Sequence, residues 1–479
     1  MYPLRKTNPL LVITSLLFIA SILPSCNPSP RPTSPADPTT PSDSIASSQT
    51  QNETRTTSPA GPIECPEQPA EFVTDLNIRQ TPSLAEPDPR VPFHDPQFGT
   101  CLVRVTDRHQ DISPDDASLG LKNEYSRVQS FNADSSKFII RGTDATWYLY
   151  DALSLRPLAE LFLDVDPRWD SSDPDLLYFS EETRLMAYDL QTNQTSTIHE
   201  FAADFPGQTL SYVWSRYEGS PSFDGRYWGF MAQDDDWQTI AFLIYDMVED
   251  KVIAARDIPG NPDIDSVTIS PFGVYFLAYF DFCEQGQMGS DLHPCGLMVY
   301  DRRTGLGQLE NGRGLLRIVG HSDTALDAQG REVLVYQDID TDHISLLDLE
   351  SGSVTPLLPI DFSHAPIGVH FSGRARNVPG WALISTYSGG HPTDQTWMDD
   401  SIFALQLEAG GVIMRLAHTH SLVDEDQEHD YWAEPQASVS ADFRRVLFTS
   451  NWGRSGTGAV DTYMIQLPQN WLALTPEIP

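Results

Sequence analysis

The chain has 479 residues, with 30 Lys and Arg against 67 Asp and Glu and a formal net charge of −37. That balance argues against nucleic acid as a partner, because phosphate recognition needs a basic face, and it repels polyanions at long range while leaving room for local basic pockets. The length would hold two or three average domains, yet no boundary is visible after about Cys65, which favours one large β architecture.

Residues 1–26 read as a lipoprotein signal peptide: Arg5 and Lys6 supply a positive start, and the apolar stretch that follows is too short for a spanning helix. Leu23-Pro24-Ser25-Cys26 resembles a bacterial lipobox, with Pro24 atypical in it, and predicts lipidation at Cys26. Such a lipid would be the chain's only attachment to a membrane and would place it in the bacterial cell envelope, periplasmic or at the cell surface. Residues 27–62 are Pro, Ser and Thr with almost no large apolar side chain, the composition of a disordered tether.

Beyond Cys26 the chain has Cys65, Cys101, Cys283 and Cys295. An even count in an exported chain suits disulfides, and of the three possible pairings proximity favours Cys65 with Cys101 and Cys283 with Cys295. No CxxC spacing supports a metal site in their place. The segment CLVRVT over residues 101–106 is strand-like but belongs to no repeat of its own.

A repeated phrase begins next. Two or three apolar residues, Tyr-Asp and a turn recur as WYLYDALS at Asp151, LMAYDLQT at Asp189, FLIYDMVE at Asp246 and LMVYDRRT at Asp301. ISLLDLES at Asp348 is a weaker copy, and IFALQLEA and TYMIQLPQ carry Gln406 and Gln466 instead. Before each lies a polar turn and an apolar burst, such as NADSSKFII near Asp134 and PFGVYFLAY near Gly273. The turns recur about every forty to sixty residues, the period of a four-stranded propeller blade. The bursts are strand-length and rich in β-branched and aromatic residues, and each Asp fits a hairpin-capping role.

The fold class is therefore all-β: a seven-bladed β-propeller over residues 63–470, followed by a tail at 471–479. The last repeat lacks a strand, and the segment at 101–106 supplies it, so an N-terminal strand closes the ring. A closed ring has no edge demanding a partner strand, and a monomer is expected.

Ligands of propellers bind where innermost strands converge on the axis. The segments that should end there are unusually polar: Tyr125 and Arg127, then Arg168 and Trp169, then Glu218. Blade five contributes His321 and Asp323, blade six His370 and Arg374, and blade seven Tyr431, Glu434 and Gln436. The pattern points to a polar funnel. His321 and His370 stand out, flanked by small or polar residues, whereas His391, His418 and His420 read as loop residues and the acidic runs at 234–236 and 424–426 as solvated loops.

CLVRVTDRHQD, EYSRVQSFNADSSKFII and AEPQASVSADFRRVLFTSNWG together resemble the opening and last blade of oligogalacturonate lyases, seven-bladed propellers related to TolB-like proteins. The resemblance implies a seven-bladed ring and, in those lyases, a divalent metal held by a Gln and His residues of the last blade. Here the matching run is Glu434-Pro435-Gln436-Ala437-Ser438, without either His, and His321 is the one residue aligned with a further metal-ligand histidine.

Two readings follow. The first is a non-catalytic, lipid-anchored binding protein whose funnel meets a carbohydrate, a peptide or an envelope protein. It needs no cofactor, and no Walker loop, Ser-His-Asp order or zinc-protease motif competes with it. The alternative is a polysaccharide lyase acting on uronate-containing glycans by β-elimination, with a divalent metal only in that case. His321 or His370 would take the proton, Arg374, Arg127 or Arg168 would neutralise the carboxylate, and Tyr431 or Tyr125 would protonate the leaving oxygen.

Overall fold

The computed structural model describes residues 61–475, except 64, 66–68, 70, 261, 306, 361–366, 389–394 and 425. The signal peptide, Cys26, almost all of the tether, and His391 lie outside the described residues.

The described residues form seven antiparallel sheets, six of four strands and one of five. Blade 1 runs from Leu121–Lys122 to Pro157–Leu161, blade 2 from Val165–Trp169 to Gln194–Glu200, and blade 3 from Tyr212–Trp214 to Lys251–Asp257. Blade 4 runs from Ile264–Ile269 to Arg313–Leu316, blade 5 from Ser322–Leu326 to Val354–Pro359, and blade 6 from Ile367–Ser372 to Ile413–His418. The architecture is a seven-bladed β-propeller.

Blade 7 draws on both ends of the described chain. Cys101–Arg104 pairs antiparallel with Asp461–Gln466, and Pro92–His94 adds a fifth strand outside it. That outer strand is invisible in the sequence pattern, being three residues long with Pro92 at its start and no alternation to reveal it. Trp471, at the start of the segment read as a tail, is 2% exposed and meets Trp381 and Phe443 edge-on or tilted.

Burial explains why the middle strands read as continuous apolar bursts. All six residues of Tyr275–Phe280 are buried, because both faces of that sheet are covered by neighbouring blades. Outer strands such as Gln194–Glu200 are largely exposed and correspondingly polar. The larger apolar clusters lie between successive blades, as with Val335, Phe371 and Ile384 between blades 5 and 6. One such cluster joins the first and last blades through Val103, Leu121, Phe138, Leu447 and Met464.

The recurring Asp does its work locally. Its Oδ1 accepts backbone N–H groups two and three residues on: Gln191 at 2.8 Å and Thr192 at 3.1 Å for Asp189, Val248 at 3.0 Å and Glu249 at 3.2 Å for Asp246, and Ser351 at 2.8 Å for Asp348. The preceding turn needs a left-handed residue, supplied in blade 4 by Gly273 at φ 69°; a Cβ there would lie 2.2 Å from the Tyr227 ring. Both disulfides form as their spacing suggests, Cys65–Cys101 and Cys283–Cys295, with Cα–Cα distances of 6.0 and 5.0 Å.

Candidate functional site at the propeller axis

Neighbouring blades 5 and 6 bring His321 and His370 together. Their rings stack with centroids 4.5 Å apart and planes 15° from parallel. His321 ends the approach to the inner strand of blade 5, and His370 lies within that of blade 6. His321 Nδ1 stands 2.8 Å from the Val369 carbonyl. A carbonyl only accepts, so Nδ1 carries the proton and Nε2 presents its lone pair. Burial, with the second imidazole beside it, pushes His321 down to about 3, so the ring is neutral at ordinary pH.

His370 is 1% exposed and sits behind His321. Its other face stacks on Tyr387 at 5.5 Å, and Tyr125 meets it edge-on at 5.6 Å. Nε2 stands 3.4 Å from Glu434 Oε2, and neither ring nitrogen completes a hydrogen bond among the described residues. Burial alone would raise the Glu434 carboxyl, but His370, His321 and the Tyr387 hydroxyl, which donates to it at 2.9 Å, hold it below its usual value.

Arg127 crosses the axis. Its guanidinium pairs with Glu218 at 2.8 Å, lies 4.7 Å over the Tyr279 ring and 5.7 Å over that of Tyr125, and donates to the Ser322 carbonyl. Glu218 is pushed up to about 7, chiefly by desolvation and, against the pull of Arg127, by Asp265. The Tyr125 phenol is raised well above its normal value by burial and by Glu218, so it stays a donor. On the blade 7 side, Lys122 Nζ donates to Gln436 Oε1 at 2.8 Å and lies 5.3 Å over the Trp432 ring. Tyr431 belongs to the short 3-10 segment Glu428–Ala433 beside this group and interacts electrostatically with Tyr125.

Other candidates lie elsewhere or are committed. Arg374 is largely committed: it is 4% exposed and forks onto Asp323 at 2.7 and 3.0 Å, clamping blade 5 to blade 6. Asp323 is committed by the same pair and by the Gly373 N–H at 2.7 Å. Arg168 is likewise buried and donates to the carbonyls of Pro167, Tyr217 and Gly219. Trp169 donates to the Ser130 carbonyl at 2.8 Å and joins two blades. His418 and His420 are not loop residues in a solvated sense: they are 0% and 8% exposed, and His420 stacks on Trp452 at 4.1 Å.

Tyr387 escaped sequence reasoning because it sits in the burst WALISTYS, which reads as core. Gly368 is its necessary neighbour, since a Cβ there would fall 2.1 Å from the Tyr387 Cζ. Lys122 was hidden in a two-residue strand. Lys122 lies three residues before Tyr125 in the sequence, whereas Tyr387 meets His370 only through the fold.

The divalent metal implied by the lyase resemblance does not fit these residues. The Gln436 side chain is engaged by Lys122, the two imidazoles stack on each other, and no group of three or more His, Cys, Asp or Glu able to hold a metal occurs among the described residues.

An all-β ring of seven blades with a polar, aromatic-walled axial cluster thus defines the class of protein. No family model matches the chain, and no curated protein sequence matches it. Among solved structures, an oligogalacturonate lyase from Vibrio parahaemolyticus superposes with a TM-score of 0.53 at 15% identity, covering 79% of this chain and 97% of that one. A hydrazine synthase from Kuenenia stuttgartiensis gives a TM-score of 0.44 at 13% identity, covering 74% and 97%. The chain is a propeller resembling that of the oligogalacturonate lyases, a likeness of fold.

Proposed function

We propose that this is an exported, lipid-anchored propeller whose axial cluster binds a carbohydrate, with strand Cys101–Arg104 acting as the clasp of the ring. The observation that carries the reading is the meeting of Tyr125, Tyr387, His321, Arg127, Glu218 and Glu434 in one axial cluster. Sugar rings offer apolar C–H faces to aromatic rings and hydroxyls to carboxylates and guanidinium groups, and this cluster supplies both. Titration calorimetry of the full chain against neutral, amino and uronic oligosaccharides tests it. Binding should weaken about tenfold in His321→Gln and Tyr125→Phe, each removing a ligand hydrogen bond. No binding across the panel overturns the reading.

One observation favours a second reading, a β-eliminating lyase like the named structural neighbour: a neutral His321 with an open Nε2 lies near Arg127 and a protonated Tyr125. In it Nε2 takes the proton next to the carboxylate, Arg127 steadies the resulting charge, and Tyr125 protonates the leaving oxygen. Against it, Arg127 is already paired with Glu218, and Arg168 and Arg374 are committed elsewhere. Absorbance from unsaturated products, with and without divalent metal, decides between the two.

A further inference from the structure

A separate cavity of about 120 Å³ opens between blades 1 and 2, lined by Glu124, Arg141, Trp147, Asp164, Arg168 and Tyr217 among others. Two of its charged groups have unfilled bonding capacity. Glu124 is 4% exposed; its Oε1 accepts the Tyr125 N–H at 3.0 Å, while Oε2 is buried with no partner among the described residues. Native folds rarely leave a buried carboxylate oxygen in that state unless water or a ligand meets it. Arg141 Nε is also buried and unpartnered, and its guanidinium lies 5.6 Å over the Trp147 ring and 5.9 Å over that of Tyr217.

The remaining charged side chains around the cavity, Asp164 included, have partners. Arg168 is committed to three carbonyls, and Asp166 accepts from the Ser215 N–H and hydroxyl and from the Tyr217 N–H at 2.7–2.8 Å. One carboxylate oxygen and one guanidinium are left facing the same small space. An ion of single charge would answer one and leave the other unmatched in a desolvated site, which is costly. An engineered cavity of about 150 Å³ admits benzene, so this one suits a molecule of that size or smaller.

We propose that this cavity binds a compact zwitterion, its ammonium on Glu124 and its carboxylate on Arg141, as in a small amino acid. The site is distinct from the axial cluster and does not depend on what that cluster binds. Titration calorimetry of the full chain with glycine, β-alanine and 4-aminobutyrate, against methylammonium and acetate, tests it. At least one zwitterion should give saturable heat, should bind about tenfold or more tighter than either singly charged probe, and should weaken about tenfold in both Glu124→Gln and Arg141→Gln. Thermal unfolding reports whether the variants fold; where Glu124→Gln does not, Glu124→Asp retracts the carboxylate and must also weaken binding. No saturable heat with any zwitterion, equal binding of acetate or methylammonium, or undiminished binding in the folded variants overturns the assignment.

Discussion

At the level of single side chains, buried neutral imidazoles make the fold sensitive to acid. His321 is pushed down to about 3 and His420 to about 4, each mainly by burial and secondarily by a neighbouring His. The unfolded chain therefore binds more protons than the folded one below the ordinary imidazole value near 6.5. Their contribution is complete above that value and is lost as pH falls from about 6.5 toward the folded values. Glu218 acts oppositely, since a carboxyl raised to about 7 loses stability as pH climbs from its unfolded value toward 7. Thermal melts between pH 8 and 4 should show a midpoint falling on the acid side, less steeply in His420→Gln and more steeply in Glu218→Gln. The Arg374–Asp323 pair gives a second test at this scale. Arg374→Met strands a buried carboxylate and should destabilise by about 3–5 kcal/mol in denaturant melts, with no added defect in glycan binding beyond lost fold.

Among the strands and turns, the capping Asp residues and the glycines that make room for rings carry the local architecture. Asp246→Ala removes two backbone caps and a fork from Arg226 whose contacts run 2.7–3.0 Å. A loss of about 1–3 kcal/mol is expected in denaturant melts. Gly368→Ala drives a methyl into Tyr387 and should cost about 1–3 kcal/mol by overpacking while also weakening whatever the axis binds, read by calorimetry. The repeats were legible in the sequence because these devices are local: Asp189 caps residues two and three positions on, so the phrase contains its own reason. The site was legible only in part. His321 and His370 stand out by their polar flanks, but their stacking joins blades 5 and 6 and is not written in either segment. Arg374 and Asp323 read as two ligands and are instead each other's partner, 51 positions apart. Residue type tells which groups are capable of chemistry, whereas the fold decides which are already engaged.

For the molecule as a whole, the fifth blade strand and the Cys65–Cys101 bridge tie the N-terminal approach to blade 7. Replacing both cysteines by Ser should lower stability by roughly 3 kcal/mol, as judged from thermal melts with and without reductant on the parent chain. Cys26→Ser should release the protein from the membrane fraction if the proposed lipid is its anchor. The larger apolar clusters add a further consequence, for they lie in seams shared by two blades. A single blade cut out of the circle would carry bare greasy faces on both sides. Loosening any one seam uncovers two neighbours at once, which makes melting a collective event and leaves little scope for a half-built ring to persist.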